Sequence, residues 1–432
     1  MKGITISFII ILFSIAFLQA QNTAIPDANF ENYLETHTAN GTVVSTGDAN
    51  SMGDGIANNG LVLTSKIDTV TLLNVDNKSI ADLTGIEDFT ALETLICSTN
   101  DLSVINVSNN VNLVSLLCGS NSLTSISVSN NPNLETLNCA NNQIQSLDVS
   151  NNSTLKSLTA SGNQLTQLDV SNNPNLTFLS ISNNKIQGAL IVSNNPNLEN
   201  LFCASNKISV LNLSVNTVLK NLDAADNLLT SLDLSGINTM VCPNPQTDPP
   251  TVCQGLAFIN VSKNKLSSLI VSNGYNNLFS SINATENPDL FCIQIDPGFT
   301  PSGWLKDDWT YYSDTTCVDI YTYVPDDNFE QALINLGYDD MLDNLVLTTN
   351  IDSLTSLDVS GESISSLIGI EDFSALEILN CSNNTIADLD LLNNTALLQL
   401  NVSNNNLSTL DLSVNTILTT LNCSSVSDYR VL

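Results

Sequence analysis

The side chains that most often carry out enzymatic chemistry are scarce in this chain. His37 is the only histidine among 432 residues, so a Ser/His/Asp or Cys/His nucleophilic site would have to be built around it. The sequence contains no Gly-rich phosphate loop and no His-Glu-x-x-His metal motif. Paired carboxylates, as in glycoside hydrolases, are harder to exclude, because 43 acidic residues make close pairs common by chance. We predict that the protein is not an enzyme.

Acidic side chains recur at one position of neighbouring repeats, and they suggest a calcium site. Asp148 and Asp169 hold this position in one part of the chain, and Asp390 and Asp411 hold it in another. Like charges stacked at close spacing would repel, and Ca²⁺, which prefers oxygen ligands, would relieve the repulsion. The alternative is a solvated turn residue, because Asn or Ser occupies the same position elsewhere. Apart from Ca²⁺, no cofactor is predicted.

The ten cysteines form two groups. Those that share one inward position of the repeat are predicted to be free, because a buried cysteine behaves as a small apolar residue. Disulfides between stacked coils are the alternative for this group. Outside the regular repeats, Cys242 and Cys253 bracket a Pro-rich insertion, and Cys292 and Cys317 bracket an aromatic segment. We predict that each of these pairs forms a disulfide in an oxidising compartment. The inward cysteines are Cys97, Cys118, Cys139, Cys203, Cys381 and Cys423.

One repeated frame must position all of these residues. It has the form L-x-x-L-x-(C/A/I)-x-x-N-x-(L/I)-x-x-(L/I)-x-(V/L), runs first over residues 92–107, and returns about every 21 residues. The L-x-x-L-x-C part predicts a short parallel strand with its leucines and cysteine pointing inward. A coil of this length cannot bury its own apolar face, so the coils must stack. The returning arm often reads V-S-N-N-P-N, which favours turns over a helix.

A column of asparagines is predicted at the bend after each strand. An amide side chain carries both donors and an acceptor, so each one can satisfy backbone groups that the bend leaves unpaired. We interpret the column as structural rather than as a set of ligands or glycan sites. Its members are Asn100, Asn121, Asn142, Asn163, Asn184, Asn206, Asn227, Asn264, Asn384 and Asn405.

The frame, repeated in phase over roughly residues 60–290 and 345–425, resembles the leucine-rich repeat family. Within that family it is similar to internalins and to secreted surface proteins of Bacteroidetes. The resemblance implies an α/β-class leucine-rich repeat solenoid with a curved parallel β-sheet on the concave face. It also implies a thin, mostly non-helical convex side, short N-terminal capping helices, and a protein partner on another cell or in the matrix.

Interruptions of the frame divide the chain into segments. Residues 1–20 are predicted to be a signal peptide, because Lys2 precedes an apolar run and Ala20 offers a cleavage position. That run is too short for a stable membrane span, and no transmembrane span is predicted. The other segments are an N-terminal cap (helix plus Gly-rich loop) at 21–69, a first array at 70–290 with a Pro/Cys insertion at 235–255, a disulfide-stapled C-terminal cap at 291–320, a second N-terminal cap at 321–353 and a second, truncated array at 354–432.

The second array repeats the beginning of the first. The sequence IPDANFE at residues 25–31 reappears as VPDDNFE at 324–330. Because the frame stops inside a coil near the C-terminus, we predict an uncapped coil end that could support self-association.

Charge and surface pattern narrow the choice of partner. Eleven basic against 43 acidic residues give a net charge of −32, which argues against nucleic acid. Aromatic or apolar side chains on an otherwise small and polar strand face are contact anchors in many interfaces, although single exposed apolar residues are also common. We predict a recognition or adhesion protein that is secreted, either free or attached to the cell surface, and binds a protein partner through the concave face. A glycan-binding module and a structural surface scaffold are the alternatives. The predicted contact residues are Phe178, Phe202, Ile96, Leu117, Phe258 and Asp223.

Overall fold

The computed structural model describes residues 21–237, 258–317, 321–424 and 428–430, and in most of them the backbone follows a repeating coil. Most coils contain a three-residue strand whose central side chain is buried while its two neighbours face outward, as the alternation of a β-strand requires. The stacked parallel coils, with few helices, confirm the solenoid predicted from the repeat. The chain forms two compact units, Met1–Ile208 and Ser209–Leu432.

The first unit begins with a small segment that packs a helix against the first coil. Strand β1 pairs antiparallel with β2, and the Asp27 carboxylate starts helix α1 by accepting hydrogen bonds from the backbone N–H groups of Asn29 and Phe30. The Phe30 ring lies 6.3 Å from the Phe89 ring, centroid to centroid. The elements of this segment are β1 (Asn22–Ala24), α1 (Ala28–Thr36), β2 (Leu61–Leu63) and α2 (Thr64–Ile67).

A parallel sheet forms the strand face of the first unit. Each strand pairs with the equivalent residues of the next coil, so that Leu95 lies opposite Leu116 and Leu116 opposite Leu137. A single 3₁₀ turn, Ile86–Asp88, precedes the second strand of this sheet. The strands along this part of the chain are β3 (Leu72–Asn74), β4 (Thr94–Ile96), β5 (Ser115–Leu117), β6 (Thr136–Asn138), β7 (Ser157–Thr159), β8 (Phe178–Ser180), β9 (Gln187–Leu190, on a returning arm), β10 (Asn200–Phe202) and β11 (Lys207–Leu211, which contains the division between the units).

The second unit continues the coil pattern with strands on both arms. In its first part, β12, β14 and β16 are parallel neighbours, and β13, β15, β17 and β18 form a second parallel sheet on the returning arms. A 3₁₀ turn covers Asn276–Leu278. The strands are β12 (Asn221–Asp223), β13 (Ser231–Asp233), β14 (Phe258–Asn260), β15 (Ser268–Ile270), β16 (Ile282–Asn283), β17 (Cys292–Gln294) and β18 (Tyr311–Ser313).

The segment predicted to be a C-terminal cap contains both of the last two strands of that second sheet. The predicted Cys292–Cys317 disulfide is confirmed, with its Cα atoms 5.9 Å apart. The other predicted pair, Cys242 and Cys253, lies outside the described residues.

The last part of the second unit repeats the arrangement seen at the start of the chain. Strand β19 pairs antiparallel with β20, and helix α3 lies between them in sequence. Strands β21, β22, β23 and β25 form a parallel sheet in that order, and β24 pairs with β26. The elements are β19 (Tyr321–Tyr323), α3 (Asp327–Leu336), β20 (Leu345–Leu347), β21 (Ser356–Asp358), β22 (Ile378–Asn380), β23 (Gln399–Asn401), β24 (Thr409–Asp411), β25 (Thr420–Asn422) and β26 (Asp428–Arg430), with 3₁₀ turns at Thr348–Asn350 and Ile370–Asp372.

Five of the six inward cysteines lie in the core together with the repeat leucines, and Cys423 is half-buried. Cys97, Cys118, Cys139 and Cys381 are fully buried free thiols. Burial raises the pKa of Cys97, Cys139 and Cys381 to about 12, so these thiols stay protonated and unreactive at neutral pH. None of the helices in the described ranges is long and apolar enough to cross a membrane.

Candidate recognition site

The outward strand face of the first unit carries one aromatic pair. Phe178 on β8 and Phe202 on β10 are half-buried, and their ring centroids lie 5.6 Å apart with the planes tilted by 49°. The strand register places Phe178 opposite Asn200 and Phe202 opposite Ser180, so the two rings meet diagonally across adjacent coils. A pair at this distance and tilt is in the favourable range for aromatic contacts, and it leaves ring surface available to a partner.

A second apolar spot lies on the same sheet. Ile96 on β4 and Leu117 on β5 are directly opposite each other in register, and both are half-buried. In the same outward column, Asn138, Thr159 and Ser180 separate this spot from Phe202. The face therefore presents two apolar spots with small polar side chains between them.

The two remaining predicted contact residues belong to the second unit. Phe258 on β14 is 37% exposed and pairs with Asn221, while Asp223 pairs with Asn260. Burial raises the pKa of Asp223, against the opposing hydrogen bonds from Ala225 and Asn260. Asp223 is thus a half-buried carboxylate beside an exposed ring on one parallel sheet.

The aspartates of the predicted calcium column each cap a local turn. The Oδ1 atoms of Asp148 and Asp169 accept hydrogen bonds from the backbone N–H groups of Ser150 (2.9 Å) and Ser171 (2.8 Å). Hydrogen bonds from those serines hold the pKa of both carboxyls below its usual value. Asp390 and Asp411 accept equivalent bonds from residues two positions on. Calcium binding at this column stays a prediction.

The single histidine is engaged at the end of helix α1. The His37 ring stacks on Tyr33 at 3.9 Å between centroids, and its Nδ1 lies 2.9 Å from the Tyr33 carbonyl oxygen and 3.1 Å from the Thr36 hydroxyl. These contacts tie His37 to its own helix rather than to any residue of the strand face.

The predicted asparagine column makes the same bonds from coil to coil. Asn142 is representative: its Nδ2 donates to the carbonyl oxygens of Cys118 (3.1 Å) and Cys139 (3.0 Å), and its Oδ1 accepts from the Leu123 N–H at 2.9 Å. These bonds link one coil to the next at the bend, where the backbone groups would otherwise lack partners.

Sequence reasoning missed a second column of buried asparagines on the returning arm. Asn131 donates from Nδ2 to the carbonyl oxygens of Val107 (3.1 Å) and Asn110 (2.8 Å), and the pattern repeats one coil on at Asn152. The signal was present as the recurrent S-N-N-P-N run, whose second asparagine is the buried one. Members of this second column are Asn110, Asn131, Asn152, Asn173, Asn195, Asn216, Asn394 and Asn415.

Comparisons with known proteins support the architecture. No family model and no curated protein matches the sequence. The functional domain of InlJ from Listeria monocytogenes, described as including a cysteine ladder, is similar in structure: it is 24% identical, with a TM-score of 0.52, over 96% of this chain and 74% of that chain. The internalin InlF from the same organism is 20% identical, with a TM-score of 0.46, over 95% of this chain and 96% of that chain. The similarity to InlJ confirms the leucine-rich repeat fold.

Proposed function

We propose that this protein is a non-catalytic, extracellular recognition module that binds a partner protein through the outward face of strands β4 to β10. Leucine-rich repeat solenoids use such extended strand surfaces for binding. The observation that supports the proposal most directly is the Phe178–Phe202 pair, with its 5.6 Å ring separation, on a face where small polar side chains separate it from the Ile96/Leu117 spot.

The physical reason is that aromatic anchors dominate binding energy when a partner removes them from water. Two rings already in contact lose little conformational freedom on binding, so more of the energy of burying them stabilises the complex. Ile96 and Leu117 supply a second, weaker anchor on the same sheet. The acidic composition, with 43 acidic and 11 basic residues, favours a partner surface with net positive charge.

The extracellular location is part of the proposal. The Cys292–Cys317 disulfide supports it, because disulfides persist mainly in oxidising compartments. The predicted signal peptide at residues 1–20 points in the same direction. Whether the protein is released or attached to a cell surface can be tested by fractionating the producing cells and detecting the protein in medium, envelope and cytoplasm.

A binding comparison of matched variants tests the proposed face. The full chain, the double variant Phe178→Ala/Phe202→Ala and the control Ile96→Ala/Leu117→Ala would be screened against surface proteins and a glycan array, with and without Ca²⁺. We expect the phenylalanine variant to weaken a protein hit at least tenfold, because losing one hot-spot side chain costs about 1–4 kcal/mol. We expect the control to weaken it less. Unchanged binding by the phenylalanine variant would remove this face from consideration.

Glycan binding is the second candidate, because polar side chains surround the aromatic pair. The Ser161 and Ser180 hydroxyl oxygens lie 2.8 Å apart beside it, and rings flanked by hydroxyl and amide groups suit the stacking and hydrogen bonding of a sugar. A glycan hit that disappears in Phe178→Ala/Phe202→Ala, with no protein hit, would favour this function. A calcium-dependent hit that Asp148→Asn/Asp169→Asn abolishes would place calcium in the predicted column.

A scaffold role would require self-association of the second array. Strand β25 is the last strand of its sheet among the described residues, and a strand edge that is left unpaired can pair with another chain. Sedimentation of the full chain over a range of concentrations tests this directly, since a scaffold would form larger species as concentration rises.

A further inference from the structure

The turn after helix α3 gathers acidic side chains around a fully buried glutamate. Glu330 is 0% exposed, and its Oε1 accepts hydrogen bonds from the backbone N–H groups of Asp343 (2.8 Å) and Leu345 (3.2 Å). The Oε2 atom of the same carboxylate is buried and has no hydrogen-bond partner in the described part of the chain. The Oδ2 atom of Asp339 is buried there without a partner as well.

Like charges crowd this turn. Burial raises the pKa of Glu330, and the nearby Asp339 and Asp343 carboxylates raise it further, against the backbone hydrogen bonds that lower it. Burial likewise raises the pKa of Asp339, with Asp343 and Asp340 adding to the effect. The sequence has no lysine, arginine or histidine between Lys306 and Arg430. No cationic side chain from this stretch of sequence can therefore neutralise these carboxylates.

In the related loop after helix α1, an amide side chain lies beside the carboxylates. Glu31 is the counterpart of Glu330, and its Oε1 accepts from the Asn59 N–H at 2.8 Å. The Asn59 side chain then donates from Nδ2 to Asp54 Oδ2 at 2.8 Å. Asp343 stands where Asn59 stands, and both side chains cap the turn by accepting from the N–H two residues on, at Leu345 (3.0 Å) and Leu61 (2.8 Å). The second copy therefore has a carboxylate where the first has an amide donor.

A cleft lies beside the acidic turn, and Glu330 is not among the residues of its wall. It has a volume of about 550 Å³, and its wall includes Asp339, Asp340 and Asp343 together with Tyr321 and Tyr338. A hydrated ion can enter such a cleft and exchange part of its water shell for carboxylate oxygens.

We propose that this turn binds a divalent cation, with Ca²⁺ as the expected ion, between Glu330 Oε2 and Asp339 Oδ2. Asp340 and Asp343 add negative potential beside them. Within the described ranges no group of three or more acidic, histidine or cysteine side chains is placed to hold a metal ion, so an ion held by these two carboxylates would need water for most of its coordination shell. Ca²⁺ tolerates such a shell because it takes six to eight oxygen ligands in flexible geometry. The bound ion ties helix α3 to the turn that follows it. This inference goes beyond the proposed function and does not depend on the strand face.

Terbium luminescence and thermal unfolding of the full chain test the site. Tb³⁺ replaces Ca²⁺ at oxygen sites and emits when nearby tyrosines are excited, and Tyr338 precedes Asp339 directly. We expect tyrosine-sensitised emission that Ca²⁺ displaces, and a melting temperature that is higher in Ca²⁺ than in chelator. In Glu330→Gln and in Asp339→Asn, we expect both effects to require an ion concentration at least tenfold higher than in the wild type.

The controls separate this site from other acidic positions. Glu31→Gln changes the matched residue of the first copy and is not expected to alter the emission. Asp390→Asn/Asp411→Asn changes the aspartate column of the same unit, and emission that only this variant removes would place the ion in the column and overturn the proposal. Glu330→Gln keeps an oxygen to accept the Asp343 and Leu345 N–H bonds, and circular dichroism verifies that each variant folds. Absence of emission and of any Ca²⁺-dependent melting shift at millimolar ion overturns the proposal. Effects that survive in both Glu330→Gln and Asp339→Asn overturn it too.

Discussion

The chain contains two versions of one helix-and-coil module, residues 25–102 and 324–386, and their cores are nearly the same. In the first, the Phe30 and Phe89 rings are 6.3 Å apart with an interplanar angle of 23°. In the second, the Phe329 and Phe373 rings are 6.3 Å apart at 27°. All four side chains are fully buried. The packing between helix and first coil is therefore set by residues that both copies share.

The two copies also share a glycine with positive φ. Gly85 and Gly369 have φ values of 100° and 102°, in the region that favours glycine. A Cβ atom at Gly85 would come within 2.6 Å of the Ala24 carbonyl oxygen, and one at Gly369 within 2.7 Å of the Tyr323 carbonyl oxygen. The close approach of the preceding strand thus requires glycine in both modules.

The copies differ in the turn that follows the helix. Helix α1 ends at His37 in extended backbone and leads into a long loop, whereas α3 ends at Gly337 in the left-handed region, with φ 83°. The short second turn closes over Glu330, while the longer first loop supplies the Asn59 amide near Glu31. The matched glutamates are buried in both copies, so the shared core sets the fold, and loop length and composition decide which polar groups surround the buried carboxylate, as is typical of functional loops.

Removing the shared aromatic core is expected to have the largest effect. Phe30→Ala and Phe329→Ala should each destabilise the protein by about 3–5 kcal/mol, the usual cost of truncating a buried phenylalanine. Urea denaturation measures the loss, and hydrogen exchange locates it in the module that carries the change. If the two substitutions lower the free energy of unfolding by amounts that differ by more than about 2 kcal/mol, the two cores are not equivalent.

Removing the helix cap should have the next largest effect. Asp27 and Asp326 each accept two N–H bonds within the helix start. The Oδ2 atom of each also accepts two further backbone N–H bonds, from Ala81 and Asp82 at Asp27 and from Ser365 and Ser366 at Asp326. Asp326 additionally accepts from the Ser365 hydroxyl. We expect Asp27→Ala and Asp326→Ala to cost about 1–2 kcal/mol each, with the larger loss at Asp326 because it has the additional hydroxyl donor.

The Asp326 cap should depend on pH. Burial alone would raise the pKa of Asp326, but hydrogen bonds from Ser365, Phe329 and Ser366 lower it. A lowered pKa in the folded state means that the stabilisation is present above the unfolded-state value of about 3.9 and is lost as pH falls through the folded value. The stability difference between wild type and Asp326→Ala should thus be full at pH 7 and shrink below about pH 4. A difference that does not change over this range would contradict the assignment.

The repeat frame is sufficient to predict the strands and the core. The inward positions Leu92, Leu95 and Cys97 are all fully buried, because period-two alternation and in-register stacking leave no other place for them. The same alternation puts Phe178 and Phe202 on the outward face, and the strand register then brings the rings together. Predictions of this kind depend only on local spacing, which the sequence displays directly.

The burial of side chains in turns could not be predicted, because it depends on the path of irregular backbone. In the V-S-N-N-P-N runs, Asn131 is buried while its neighbour Asn130 is exposed, and only the course of the turn distinguishes them. The burial of Glu330 could not be predicted from the sequence either, because a glutamate in the first turn of a short helix is ordinarily solvated. It is buried because an eight-residue turn folds back over it, and a turn's path follows from tertiary contacts rather than from spacing.

The buried glutamate should produce a smaller pH effect of opposite sign. Its pKa is raised mainly by burial, so its contribution to stability is present below the unfolded-state value of about 4.3 and is lost as pH rises through the folded value. In calcium-free buffer we expect the melting temperature of wild type to fall relative to Glu330→Gln as pH rises to 7. The expected fall is about 2–4 °C, as for a change of about 1 kcal/mol in a unit of this size. Glu31→Gln is the matched control, and a parallel pH profile for wild type and Glu330→Gln would rule out a raised pKa.

The smallest expected effect comes from making the second turn resemble the first. Asp343→Asn installs the amide that Asn59 provides in the first copy, and its side-chain oxygen can still accept the Leu345 N–H bond. With one like charge removed, calcium-free stability should rise by about 0.5 kcal/mol, while the affinity for Ca²⁺ should fall. Calorimetric titration and thermal unfolding of the same samples measure the two changes together. If stability and affinity instead move in the same direction, Asp343 acts through the shape of the turn rather than through its charge, because loss of charge alone must relieve repulsion and weaken cation binding at once.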